Sequence, residues 1–209
     1  MKELEIIKNG IKELLENDAS GHDYYHSLRV YKNAMKIADK EKCNKRMVAL
    51  ASLLHDVDDV KLFDSEDYEN AKKIMQSAQV DEDTIEKVVE IIKTVSFRGR
   101  ESIVPDTIEG KVVQDADRLD AIGAIGIARA FAYGGNKERC MYDPNVPICF
   151  DMDANEYIEN EGTTINHFYE KLFKLKDMMN TETAKEIARN RDEFMREYIK
   201  RFLDEWEGI

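Results

Sequence analysis

Three features of this 209-residue chain predict an all-α fold. Apolar residues recur at helical spacing in nearly every periodic segment, alternation with a period of two is nearly absent, and polar capping residues stand just ahead of several apolar stretches. Leu4, Ile7, Ile11, Leu14 and Leu15 mark a first amphipathic helix. Val30, Ala34, Ile37 and Ala38 mark a second, with His26 near its start. Asn44 is the expected N-cap of a third helix, whose apolar run Val48 to Leu54 ends at His55-Asp56. A fourth covers about Glu66 to Gln79. Asp83-Thr-Ile-Glu86 reads as a capping box opening a fifth helix with Val88, Val89, Ile91, Ile92 and Val95. Pro105-Asp-Thr-Ile-Glu109 places a proline and a second capping pattern at the start of a sixth.

Ala121 to Tyr133 is small and apolar, and Gly123 and Gly126 within it allow a neighbouring element to approach closely. Gly134 to Asp153 is the one long irregular stretch and holds Pro144 and Pro147; a connection of that length reads as a functional flap or a disordered loop. A helix around Tyr157 to Met179 follows, then a long one carrying Ile187, Phe194, Met195, Tyr198, Ile199, Phe202, Leu203 and Trp206. There is no internal repeat, low-complexity tract or linker. The expected organisation is a single compact domain over 1–209, with a core of about 20–135, a loop of about 134–153 and extra C-terminal helices of about 154–207.

Composition narrows the function. Hydrophobic residues are 43% and charged residues 35%, as in globular rather than disordered chains. Apolar runs of about seven or eight residues fall far short of the roughly 20 needed to span a bilayer. The N-terminus is charged amphipathic helix, not a leader, so a cytoplasmic protein without a membrane partner is expected. A net charge of −12 argues against nucleic acid as a partner, because that binding rests on neutralising phosphates. It leaves room for a small anion, since a metal and a few cations reverse the sign inside a cleft. Cys43, Cys140 and Cys149 show no C-x-x-C spacing, and reduced thiols are expected. The amphipathic termini suit a homodimer and an intramolecular core equally.

The chemistry gathers around His55-Asp56, delivered by a buried helix. His26 upstream and Asp117 downstream complete a set of two imidazoles and two carboxylates. Such donors suit Mn²⁺, Fe²⁺, Co²⁺ or Ni²⁺, with Mg²⁺ the all-oxygen alternative. Adjacent helical residues diverge by about 100°. Both members of the pair nevertheless reach one ion that sits off the helix end. Four protein ligands leave about two octahedral positions, for water and a phosphate oxygen, which is hydrolytic phosphoester or phosphoanhydride chemistry. Neither Ser52 nor Ser96 lies in a nucleophile-elbow pattern. His22, four residues before His26, shares its helical face and suits a proton donor, a phosphate contact or a capping residue. Lys61, Arg98 and Arg118 are candidate phosphate-binding cations, with Arg98 in the basic turn Ser96-Phe-Arg-Gly-Arg100. His167, remote in sequence, is not expected to ligate metal. Only four histidines are present, which favours one ion over a binuclear centre.

In that order, His26, His55-Asp56 and Asp117 resemble the signature of the HD-domain metal-dependent phosphohydrolase superfamily. The flanks Gly21-His-Asp-Tyr-Tyr-His26, Val95-Ser-Phe-Arg-Gly99, Gln114-Asp-Ala-Asp-Arg-Leu-Asp-Ala-Ile-Gly123 and Thr164-Ile-Asn-His-Phe-Tyr-Glu-Lys-Leu172 resemble its small bacterial YpgQ-like subgroup. The resemblance runs from about Leu14 to Trp206. It implies a helical fold, a small-molecule nucleotide as substrate and one divalent metal, with manganese first among the candidates. It also implies nucleoside triphosphate pyrophosphohydrolase activity giving a monophosphate and pyrophosphate. A 5′-nucleotidase or phosphodiesterase of the same superfamily is the alternative, and a non-catalytic nucleotide-sensing protein the rival outside enzymology. In several such hydrolases a carboxylate four residues after the metal histidine handles the water, and Asp59 holds that position. Asp117 is preferred over Asp115 and Asp120 because it matches the family's Ala-Asp-Arg-Leu pattern.

Overall fold

The computed structural model describes residues 2–15, 23–59, 63, 67–95, 103–150, 152 and 162–209. Among them there are helices and no strand. In chain order these are α1 (Lys2–Leu15), α2 (Tyr24–Ala38), α3 (Lys45–Leu54), α4 (Glu69–Ser77), α5 (Glu82–Ile92), α6 (Ile108–Asp120) and α7 (Gly123–Asn136). A composite α8 follows, built from an α-turn Thr164–His167, a π-segment Phe168–Leu172, a further turn Phe173–Leu175 and a 3₁₀ turn Lys176–Met178. The last is α9 (Glu182–Trp206).

Local chemistry sets the starts. Asn44 caps α3 as expected, its side chain accepting from the amides of Arg46 and Met47 at 3.1 and 3.3 Å. Two expected starts move. The cap of α5 is Asp81, which accepts from the Thr84 amide at 3.0 Å. Asp83 sits inside the first turn, where an acid favours the helix dipole and pairs with Lys87. At α6 the Thr107 hydroxyl accepts from the Gly110 amide at 3.1 Å, so Pro105 stands outside the helix rather than at its first position.

The chain forms two compact units. The first holds Met1–Phe97 and Ile103–Asp117, and the second includes Arg118–Ile209, so the boundary falls within α6. The sequence reading carried the core on to about 135. In the first unit α3 is central. Every residue from Val48 to Leu54 is buried, and α1, α2 and α5 pack around it while α4 lies against α1 and α5. Ile7, Ile11 and Leu15 of α1 supply one inward stripe, and Ile85, Val88, Val89 and Ile92 of α5 another.

In the second unit α7 packs against α9 and the first turn of α8. Phe131 meets Phe168, Tyr198 and Phe202 at ring distances of 6.2–6.3 Å. Glycine is required where α7 begins: Gly123 has φ +78°, and a Cβ on Gly126 would lie 2.2 Å from the Ala121 carbonyl oxygen. The inward face of α9 is Ala184, Ala188, Met195 and Ile199, with the carboxylate of Asp192 buried among them and bonded to Arg196 and Lys176. Phe194 and Trp206 from the expected apolar stripe are instead 50% and 46% exposed.

The irregular stretch starts later than expected, because Gly134 and Gly135 belong to α7. Its described part, 137–150, is strapped along α8. The Thr164 and Ile165 amides donate to the carbonyls of Cys140 and Met141 at 3.1 and 3.0 Å. The Asn166 amide donates to Val146 and Pro147 at 3.1 and 3.2 Å, Glu170 accepts from the Cys149 amide at 3.2 Å, and Lys174 donates to the Phe150 carbonyl. Asn166, Glu170 and Lys174 thus form a polar ladder at four-residue spacing. All three cysteines are free thiols, as expected. No helix among the described residues is long and apolar enough to cross a membrane.

Asn166→Ala removes two bonds to strap carbonyls. A loss of about 1–3 kcal/mol in denaturant unfolding is expected, with faster proteolytic nicking between 137 and 150. Unchanged proteolysis would show that the ladder does not hold the strap.

Candidate metal centre

Three elements of the first unit build the centre. Asp23 caps α2 by accepting from the His26 amide at 2.7 Å, which fixes the first turn that carries His26. His55 is the C-cap of α3, so the expected helix end at the pair comes one residue earlier, at Leu54. Being at the end of the helix, rather than within it, lets His55 and Asp56 face the same point. Asp117 comes from α6.

Atoms of His26, His55 and Asp117 lie within 4.8 Å of one another. The two Nε2 atoms are 3.2 Å apart. Asp117 Oδ1 lies 3.5 Å from His26 Nε2 and 3.7 Å from His55 Nε2. Asp56 spans the pair, with Oδ2 3.2 Å from His26 and Oδ1 3.4 Å from His55. Both imidazoles and Asp56 are buried, whereas the Asp117 side chain is 26% exposed and gives the cluster an open side.

A divalent cation fits these donors. Ligands about 2.1 Å from an ion are separated by about 3.0 Å in octahedral and about 3.4 Å in tetrahedral geometry. The separations here fall in and just above that range. The backbone also sets the tautomer. Nδ1 of His55 lies 3.0 Å from the Ser52 carbonyl, which only accepts, so Nδ1 carries the proton and Nε2 offers its lone pair to the cluster. Ser52 therefore matters through its main chain, which no side-chain motif discloses.

The electrostatics point the same way. Burial opposes a charged His55, but Asp56 and Asp117 outweigh it and hold its pKa above the ordinary 6.5. Burial likewise opposes ionised Asp117, yet hydrogen bonds from His26 and His55 hold its carboxyl well below the usual range.

The other expected residues have separate placements. Asp59 is half-buried and follows the pair directly, its amide donating to the Asp56 carbonyl at 3.2 Å. Arg118 is 4% exposed and its guanidinium donates to the Met178 carbonyl, a brace that lends no support to a phosphate-binding role. His22, Lys61 and Arg98 lie outside the described residues. His167 belongs to the second unit and not to the cluster; burial, Lys171 and Arg139 push its pKa down to about 3, leaving it neutral near pH 7. Asp115 and Asp120, the rival ligands on α6, are outside the group of His26, His55 and Asp117, and Asp56 joins it only through its approach to the two imidazoles. Gln114 is a further residue the motifs did not single out. Its buried amide donates to the carbonyls of Thr94 and Ile103, both at 2.8 Å, one turn before Asp117.

The HD domain family model matches residues 23–122, which contain all four expected ligands. YpgQ from Bacillus subtilis is 38% identical over 213 aligned residues, covering 100% of this chain and 96% of that protein. The chain belongs to the HD superfamily of metal-dependent phosphohydrolases, in the YpgQ-like group. A Lactobacillus plantarum structure matches with a TM-score of 0.83 at 38% identity, covering 99% of this chain and 98% of that one. An HD-superfamily hydrolase from Bacillus thuringiensis matches at 0.76 and 43% identity over 99% and 97%. The crystal structure of Bacillus subtilis YpgQ in complex with ADP matches at 0.79 and 37% identity over 98% of both chains. The chain is thus an HD-family hydrolase; HD domains bind divalent metals, and His26, His55 and Asp117 form a group that could hold one.

Metal and proton compete for this cluster. The raised pKa of His55 means that the metal-free fold gains its imidazolium–carboxylate attraction fully below about pH 6.5 and loses it as pH rises through the higher folded value. Melting in chelator should therefore fall as pH increases above 6.5. The gain on adding Mn²⁺ should widen over the same rise, reaching about 2.7 kcal/mol at 100 times Kd. A gain that shrinks with pH would contradict this arrangement.

Proposed function

We propose that this HD hydrolase cleaves nucleoside triphosphates between the α- and β-phosphates, releasing a monophosphate and pyrophosphate. The observation that carries the reading is the buried donor cluster with one open side, in a chain alike over its whole length to a relative solved with ADP. His26, His55, Asp56 and Asp117 are the residues that hold one divalent ion, with Mn²⁺ the preferred occupant. A bound divalent ion supplies charge neutralisation at the phosphates and a lowered pKa for water.

The protein groups divide the remaining work. Ser52 keeps His55 in the tautomer that faces the site. Asp59, next to the ligand pair, orients the attacking water and takes its proton as the oxygen bonds to the α-phosphorus. The bond from that phosphorus to the bridging oxygen breaks, and its electron pair leaves with pyrophosphate. Lys61 and Arg98 are the proposed cationic partners of the leaving group, and His22 its proposed proton donor. Arg118 is left out because its guanidinium braces Met178.

A screen of nucleotides with Mn²⁺, following pyrophosphate and orthophosphate separately, tests the reaction. Pyrophosphate in step with monophosphate is expected. Orthophosphate released from monophosphates would replace this reading with a 5′-nucleotidase. Asp59→Asn should lower kcat by about 10²–10⁴ with Mn²⁺ affinity intact. Full activity in that variant would remove Asp59 from the chemistry.

A further inference from the structure

The start of α4 lacks a cap of its own. Its N-cap position is Tyr68, in the left-handed region at φ 58° with no side-chain capping bond, and Asp67 before it is also left-handed at φ 49°. The amides left open there are satisfied from far away in sequence. Asp58 Oδ1 accepts from the Asn70 amide at 3.0 Å and Oδ2 from the Ala71 amide at 2.9 Å. Asn70 answers by donating its side-chain amide to the Val57 carbonyl at 2.9 Å. Three bonds therefore clamp α4 to the two residues that directly follow His55-Asp56.

The turn they clamp is anchored by the buried Val57 side chain and by backbone bonds that include two long ones, from the Val57 amide to the Leu54 carbonyl at 3.3 Å and from the Asp59 amide to the Asp56 carbonyl at 3.2 Å. A small rotation there would swing Asp56 off the imidazoles and move Asp59 with it. Asp58 is only 9% exposed, and its charge faces the positive end of a helix dipole. We propose that Asp58 and Asn70 are positioning residues for the metal centre: α4 and Asp58 form a clasp that sets the aim of Asp56 and Asp59. The inference rests on the metal role of the histidine–aspartate cluster. It gives the three neighbouring aspartates different work, with Asp58 turned toward a helix end rather than toward the ion.

The test compares metal affinity with stability. Asn70→Ala keeps helix propensity and leaves Asp58 capping α4, but cuts the bond to Val57. Asp58→Asn keeps the shape and retains one of the two capping acceptors. Asp81→Ala is the control, since it removes the equivalent cap of α5, away from the ligand turn. Mn²⁺ titrated into each metal-free protein and followed by paramagnetic resonance should bind about 10–100-fold more weakly to Asn70→Ala and Asp58→Asn. The Asp81→Ala control should bind as the parent does even where its melting temperature falls as far. Undiminished affinity in the two clasp variants, or an equal loss in the control, would reduce the clasp to an ordinary cap and overturn the proposal. A parent protein that binds no Mn²⁺ would instead overturn the metal centre itself, so the two failures are distinct.

Discussion

Two imidazole nitrogens facing each other at 3.2 Å in a buried position are the constraint on which the rest of the first unit depends. The Ser52 carbonyl holds the first proton of His55 on the far side of its ring, so the neutral ring turns a lone pair inward and only the charged ring turns an N–H there. Asp117 approaches the same pair, and Asp56 spans the two rings. An array of lone pairs and negative charge out of water is unfavourable unless a cation joins it. The protein is therefore shaped to hold a positive charge there. The burial of every residue from Val48 to Leu54 is the mechanical counterpart, because a helix end packed on every side fixes the direction in which the next residue points.

Three aspartates within four positions show how backbone, rather than residue type, decides chemistry. Asp56 faces the imidazoles, Asp58 faces a helix start, and Asp59 sits half-buried just beyond. The same functional group meets a cluster of ring nitrogens in one case and main-chain amides in the next. Only the turn leaving α3 separates them.

The helices were legible because they depend on side chains at regular spacing, and the cluster because its residue types follow the order of the signature that the chain resembles. The stripes of α1 and α5 announce themselves by spacing, the Asn44 cap by its residue type ahead of an apolar run. Less legible was whatever depends on the main chain or on long-range closure. The Ser52 carbonyl carries no side-chain signal, and the Asp58–Asn70 bonds cross twelve residues of sequence. Asp83-Thr-Ile-Glu86 fits the capping-box pattern, but that pattern does not show which residue has the extended backbone, and it is Asp81 that does. Phe194 and Trp206 fit the α9 stripe by residue type alone. The face turned inward is instead built from alanines and a paired aspartate, which hydrophobicity scarcely marks. Arg118 gained its expected role by adjacency to Asp117, but neighbours on a helix point about 100° apart.

That last angle has an evolutionary corollary for α6. Asp117 and Arg118 are neighbours on α6, the first assigned to the first unit and the second to the second. Upstream, the Gln114 amide joins two chain segments. Downstream, the Arg118 guanidinium holds the Met178 carbonyl. Insertion or deletion of one residue between Gln114 and Asp117, both in the first unit, would shift Asp117 by about 1.5 Å along the helix and turn it by about 100° relative to the Gln114 contacts. Natural variation in this stretch should therefore proceed by substitution at constant length, with changes of length confined to connections that carry no such phase.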